Sequence, residues 1–179
     1  GQADLYERKP HHIRKGLTAS EALPYAASGG LADVAGSLPA ALCKAGHDCR
    51  VVLPLYKSIK PELRKDRRFL MNFTVDVGWR KQYCGVFEGH ANIVTYYLLV
   101  NEYYYARDGL YGFYDDCERF VFLSRAVMEL IRHIDWKPQI LNWNDWQTAL
   151  VPVYYQTYYK NLHGYEDIKT VFTIHNIQY

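Results

Sequence analysis

Long apolar runs are missing from this chain. No stretch of its 179 residues approaches the roughly 18–20 apolar residues that span a bilayer. No charged-then-apolar segment of the secretory kind opens it. Charge of one sign is also scarce. The formal net charge of +2 is too small to call for nucleic acid or an anionic membrane as partner. Cysteine is sparse: Cys43, Cys49, Cys84 and Cys117 fit no metal-ligand spacing. A domain of this size needs no staples, so they read as free thiols of a reducing compartment. Two nucleotide-binding motifs are absent as well. Without G-x-G-x-x-G or G-K-S/T, neither a dinucleotide fingerprint nor a P-loop is present.

What is present describes a globular domain. Hydrophobic residues make up 49% of the chain and charged residues 22%, which suits one domain with a real core. Tyrosine is abundant, at 17. Aromatic faces can stack on sugar rings and phenols can bond sugar hydroxyls, although most of these rings are expected to fill the core and its rim. There is no repeat and no low-complexity tract.

Residues 1–16 are polar and basic with no sustained period, and read as a tail or a cloning remnant. Leu17 to Glu21 reads as the end of a first strand, interrupted upstream by Arg14-Lys15-Gly16. Leu31, Val34, Leu38, Ala41 and Leu42 recur at helical spacing up to Gly46, and Pro39 predicts a kink or a helix in two pieces. Cys49 to Leu53 is a short strand stopped by Pro54. Three strand-like runs, Phe73–Val77, Tyr83–Phe87 and Ile93–Val100, predict an inserted antiparallel meander broken at Gly78 and at Glu88 to Asn92. A Tyr/Gly/Asp-rich loop from Asn101 to Asp116 follows. Then come an amphipathic helix over Cys117–Ile134, a strand over Gln139–Trp143, a helix over Trp146–Lys160 and a strand over Lys169–Ile174. Strands alternating with helices imply an α/β fold built on a parallel sheet.

Ligands of such sheets bind beyond the carboxyl ends of the strands. Three polar segments fall there: Glu21 to Asp33, Asn142 to Gln147, and His175-Asn176. In the first, Ser28-Gly29-Gly30 opens a helix, so its backbone can approach a ligand with amides pointing outward. Asp33 in the first turn would repel phosphate, which suits a hydroxyl, or it merely offsets the helix dipole. In the second, Asn144 or Asp145 can cap a helix. A cap alone does not explain two tryptophans, Trp143 and Trp146, among amides. Planar rings beside amides suit a carbohydrate, and core packing is the plainer reading of each ring. In the third, His175 stands at a strand's carboxyl end. Arg107 to Gly112, taken alone, is an ordinary turn.

Taken together, these segments resemble the amino-terminal domain of bacterial glycogen synthases and plant starch synthases, which are retaining glucosyltransferases of the two-domain GT-B fold. Ser20-Glu21-Ala22-Leu23-Pro24 through Ser28-Gly29-Gly30-Leu31-Ala32-Asp33-Val34-Ala35-Gly36-Ser37-Leu38-Pro39 is similar to the opening signature. Gly46-His47-Asp48 and Val51-Val52-Leu53-Pro54 continue it. Asn144-Asp145-Trp146-Gln147-Thr148-Ala149-Leu150-Val151-Pro152 and Phe172-Thr173-Ile174-His175-Asn176-Ile177 are similar to the second and third.

The resemblance implies a Rossmann-like parallel sheet with helices on both faces and the meander inserted, as in the N-terminal half of a GT-B fold, with residues 17–179 as its N-terminal, glucan-acceptor domain, C-terminally incomplete. It implies glucose transfer from ADP-glucose or UDP-glucose to the non-reducing end of an α-1,4-glucan, with retention and with no metal or cofactor, in a bacterial cytoplasm or a plastid. By the same resemblance, Ser28, Gly29, Gly30 and Asp33 bind the sugar nucleotide. Tyr111, Asn144, Trp146 and Asn176 contact substrate, and Asp145 and His175 are the catalytic pair. Ala27 stands where the family usually carries a lysine, so the glycine loop reads as a backbone lid over the sugar rather than a phosphate clamp. Asn142 stands where bacterial members usually carry histidine. A second, C-terminal domain is expected to hold the nucleotide, and residues 1–179 alone are not expected to transfer glucose. Two other readings stay open: a non-catalytic glucan-binding module on the same fold, and a different GT-B enzyme such as a sucrose-type synthase. The joint signature argues against the second of these.

Overall fold

The structure is a computed structural model that describes residues 12–177. Seven strands form one sheet: β1 (Arg14–Thr18), β2 (Asp48–Pro54), β3 (Arg68–Val77), β4 (Arg80–Ala91), β5 (Val94–Val100), β6 (Ile140–Asn144) and β7 (Lys169–Thr173). Their order is β3-β4-β5-β2-β1-β6-β7. The five from β5 to β7 pair in parallel, and β3 and β4 extend the sheet antiparallel. Around it lie α1 (Gly30–Lys44), α2 (Pro61–Lys65), α3 (Glu102–Tyr105), α4 (Asp116–His133) and α5 (Val151–Tyr154). The chain crosses one way along the sheet from β1 through α1 to β2. It crosses the other way from β5 through α4 to β6. Right-handed crossovers in opposite directions put α1 and α4 on opposite faces.

The sheet differs from the sequence reading at its centre and at its edge. β1 begins at Arg14 and lies between β2 and β6. Residues 14–16 therefore belong to a central strand and not to a tail; residues 1–11 lie outside the described residues. Their polarity hid the strand, because ladder hydrogen bonds come from the main chain. A Cβ on Gly16 would stand 2.9 Å from the Leu141 side chain, so the strand's glycine permits the close approach of β6. The antiparallel meander is present as β3, β4 and β5, and it continues the parallel sheet because β5 pairs in parallel with β2. β4 runs straight through Glu88 to Ala91, and the turn comes at Asn92, with φ of 55°.

The helices differ in detail. Pro39 sits inside α1 without dividing it. Its ring is buried, and next to it the Ser37 hydroxyl donates to the Asp33 carbonyl at 2.7 Å. The helix expected over residues 146–160 is a 3₁₀ turn (Trp146–Thr148), then α5, then a π turn (Tyr155–Tyr159). Pro152 in the first turn of α5 cannot continue a helix begun earlier. The polar loop after β5 holds α3, capped by Asn101, whose side chain accepts from the Tyr104 amide at 2.9 Å.

One hydrophobic cluster joins α1, the middle of the sheet and α4. A second, around Trp143, packs Met128 and Ile131 of α4 against Val151, Tyr155, Tyr159 and Tyr165. All four cysteines are free. Burial pushes the Cys49 thiol up to about 12, with Cys43 adding to it. No helix among the described residues is long and apolar enough to cross a membrane.

Candidate active site

The carboxyl ends of β1, β6 and β7 meet at one place, and two of the three polar segments expected there, Asn142 to Gln147 and His175-Asn176, are joined by hydrogen bonds, whereas Asp33 of the first lies in another groove. Asn144, the last residue of β6, bridges both neighbours. Its Nδ2 donates to the Thr18 carbonyl of β1 at 3.0 Å, and its Oδ1 lies 3.0 Å from His175 Nε2, just past β7. A carbonyl can only accept, so Nδ2 must face Thr18 and Oδ1 must face the histidine. The His175 Nε2 therefore carries the proton. Its Nδ1 has no partner among the described residues and is free to accept a hydrogen bond when the ring is neutral.

Asp145 holds the backbone of the same segment. Its Oδ1 accepts from the His175 amide at 2.6 Å and the Asn176 amide at 3.3 Å, and its own amide donates to the Thr173 carbonyl at 2.9 Å. The carboxylate is buried, and Oδ2 has no hydrogen-bond partner among the described residues. Its backbone sits at φ 58° and ψ −177°, a conformation that glycine adopts freely and that costs a residue with a Cβ about 1–3 kcal/mol. Thr148 secures the turn, donating through its hydroxyl to the Asn144 carbonyl at 2.8 Å. The Asn176 side chain is exposed. Asn142 is buried, and its Nδ2 donates to the Val171 carbonyl at 3.1 Å and to Thr173 Oγ1 at 2.9 Å, tying β6 to β7.

The glycine loop is organised by a residue that the sequence reading passed over. Glu21 is buried, and its Oε2 accepts from the Ser28 amide at 2.9 Å, the Ser28 hydroxyl at 2.5 Å and the Tyr111 phenol at 3.2 Å. Ser20 Oγ lies 2.6 Å from the same phenol. Burial pushes the Tyr111 phenol up, and the Glu21 carboxylate adds to it, so Tyr111 stays a proton donor. Gly29 and Gly30 are exposed, and a Cβ on Gly30 would meet nothing within 4 Å. A buried carboxylate thus lies beneath the loop, and the uncharged Ala27 stands beside it. The sequence signal for Glu21 was its place at the start of the first polar segment, three residues past the end of β1.

Trp146 is partly exposed and meets Phe120 edge-on at 5.2 Å; Phe120 in turn lies 5.8 Å from Tyr111. This aromatic row connects the Glu21 network to the Asp145 turn. Asp33 stands apart. It lines an exposed groove with Leu23, Pro24 and Asn92, and makes no hydrogen bond to the Glu21, Ser28 and Tyr111 network. Among the described residues no cluster of His, Cys, Asp or Glu could hold a metal ion.

Known proteins match this arrangement along almost its whole length. The family model described as the starch synthase catalytic domain matches residues 17–179. A glycogen synthase of Clostridium botulinum is 53% identical over 164 residues, covering 91% of this chain and 34% of that protein. One from Clostridium beijerinckii is 52% identical over 164 residues, with the same coverage. The solved catalytic domain of starch synthase IV from Arabidopsis thaliana, bound to ADP and acarbose, superposes with a TM-score of 0.86 at 29% identity, covering 92% of this chain and 34% of that one. The chain thus spans about a third of the length of these relatives. Its Rossmann-like sheet matches the GT-B fold of the starch synthase domain, and the chain belongs to the starch synthase catalytic domain family, together with the bacterial glycogen synthases.

Proposed function

We propose that this chain supplies the glucan-acceptor side of a glucosyltransferase active site. The enzyme would transfer glucose from ADP-glucose or UDP-glucose to the non-reducing end of an α-1,4-glucan, with retention. One observation supports this most: His175 is held through its ring by Asn144 and through its backbone by Asp145, above the ends of three parallel strands. A ring fixed on both sides presents a polar group with little freedom left to lose, which is how positioning lowers a barrier. His175 Nδ1 would accept from a hydroxyl of the transferred glucose. Asp145, whose bonded oxygen is occupied by two amides, would act chiefly by positioning His175 and Asn176.

The exposed Gly29 and Gly30 would close over the sugar. Trp146 offers a partly exposed ring beside it, and Tyr111 would act through Ser20 and Glu21. Asp33, which lies in a separate groove, would reach a ligand only at the rim of this site. With no lysine at position 27, the diphosphate would be held by a second domain. Residues 1–179 alone would then bind substrate poorly and transfer no glucose.

The test is incorporation of labelled glucose into glycogen by the full-length protein, with ADP-glucose and UDP-glucose as donors and residues 1–179 assayed in parallel. Transfer by the full-length protein and none by residues 1–179 is the expected result. No transfer from either donor by a full-length protein that still binds glycogen would replace this reading with a non-catalytic glucan-binding module.

A further inference from the structure

Three basic side chains converge on a cavity that takes no part in the site just described. The cavity holds about 270 Å³ and lies where β2 and β5 end. Those two strands pair in parallel and lie one and two places from β1. The cavity is therefore at the same end of the sheet as His175, yet none of the residues that hold His175 or the glycine loop lines it. Lys57, Arg64 and Arg67 supply its positive charge, and Phe87 forms part of its apolar wall. Glu102 is its single carboxylate among the described residues.

Elsewhere in the fold arginines are neutralised. Arg50, Arg68, Arg80, Arg107, Arg119 and Arg132 each pair with a carboxylate within 3.7 Å. Arg64 and Arg67 make no ion pair among the described residues. Arg64 Nη2 donates to the Tyr56 carbonyl, and Arg67 Nη1 donates to the Arg64 carbonyl. Carbonyls hold the two heads in place without cancelling their charge. The Nε of each is buried and has no hydrogen-bond partner among the described residues. The Arg67 guanidinium also lies 4.8 Å from the Phe87 ring. Burial, and after it the charge of Arg67, pulls the Arg64 guanidinium below its ordinary value. The two cations are thus near enough to repel. An unpaired, partly buried charge is costly, and a like charge beside it adds to the cost. An anion bound between them would relieve both.

Lys57 can join them. Its 2.9 Å pair with Asp108 is exposed on both sides, and such surface pairs contribute little. Guanidinium forks match phosphate oxygens in bidentate geometry. Three cations against one carboxylate favour a dianion over a monoanion. The volume falls just below the roughly 300–1,000 Å³ of ordinary ligand pockets. That suits a phosphate group, free or on a small sugar, and leaves no room for a nucleotide.

We infer that Lys57, Arg64 and Arg67 form a separate binding site for a phosphate group, carried by inorganic phosphate or by a phosphorylated monosaccharide. The test is equilibrium dialysis of radiolabelled inorganic phosphate against the full-length protein, with saturating ADP present to fill any diphosphate site. One equivalent should bind. Arg64→Gln and Arg67→Gln should each raise the Kd about tenfold, and Lys57→Gln about threefold. Arg125→Gln, away from the cavity, should leave it unchanged. Melting temperatures without phosphate separate lost binding from lost folding. Should Arg64→Gln unfold, because it also frees the Tyr56 carbonyl, Arg67→Gln and Lys57→Gln decide.

Unlabelled glucose 1-phosphate that displaces the label at lower concentration than unlabelled phosphate would support the site and assign it to a sugar phosphate. The reverse order would support it and assign it to inorganic phosphate. No phosphate bound in the presence of ADP, or a Kd unchanged in folded Arg67→Gln and Lys57→Gln, would overturn the inference. So would displacement by chloride as effective as by phosphate. The outcome does not depend on whether the protein transfers glucose.

Discussion

Asp145 combines a strained backbone with a hydrogen-bonding clamp, and two substitutions separate them. Its Oδ1 takes the His175 amide at 2.6 Å and the Asn176 amide at 3.3 Å. A short bond to a carboxylate contributes about 2 kcal/mol, and the longer one about 0.5 kcal/mol. Removing the buried, unpartnered Oδ2 returns about 1 kcal/mol in either variant. Asp145→Ala therefore loses about 1.5 kcal/mol and keeps a Cβ in a conformation that costs about 1–3 kcal/mol. Asp145→Gly loses the same clamp and sheds the strain, less about 0.5–1 kcal/mol for glycine's greater freedom when unfolded. The glycine variant should thus be more stable than the alanine variant by about 1 kcal/mol. Urea or thermal unfolding of the full-length protein reads that difference. Hydrogen exchange reads the clamp: in both variants the His175 amide should exchange about 30-fold faster and the Asn176 amide about twofold faster. An alanine variant more stable than the glycine variant, or unchanged exchange at these amides, would refute this reasoning.

The glycines of the first loop and helix should divide by function. Gly36→Ala places a Cβ 2.7 Å from the Leu23 carbonyl oxygen, a backbone atom that cannot swing away. It should lower stability by about 1–3 kcal/mol, measured by thermal unfolding. Gly30→Ala meets nothing within 4 Å; it should leave the melting temperature unchanged, so any loss of glucose transfer reports on the ligand. Acid should loosen the loop that carries Tyr111. Hydrogen bonds from Arg107 hold the Asp115 carboxyl below its ordinary value of 3.8, against the upward pull of burial. With the folded value depressed, this contribution is fully present above the unfolded value and is lost as pH falls through the folded one. The melting temperature should therefore drop as pH falls below about 4, and drop less in Arg107→Ala; equal pH profiles would remove Asp115 from the explanation.

The meeting of the β6 and β7 ends was legible because strand and helix alternate, and alternation fixes which loops share one end of a sheet. His175 lies 30 residues from Asp145 and 31 from Asn144 in sequence, yet it meets both for that reason. The contacts themselves were not legible. Asp145 could be read as a helix cap, but it caps no regular helix and instead binds the amides of another loop. Glu21 was hidden because periodicity says nothing about which buried acid finds three donors. Asp33 looked close to Gly30 by chain position, but helix geometry turns it into another groove. β1 was obscured because Arg14 carries its polar head to the Lys137 carbonyl, at 2.7 Å, while its backbone joins the ladder. Arg64 and Arg67 drew no notice among 21 lysines and arginines, since pairing is a property of the fold.

The most direct measurement is the turnover of the full-length protein with His175→Ala, using labelled ADP-glucose and glycogen, alongside its melting temperature. If the fixed imidazole meets the transferred glucose, kcat should fall about 100-fold or more with the melting temperature nearly unchanged. Turnover within twofold of the parent protein would contradict the placement of transfer at the ends of β1, β6 and β7.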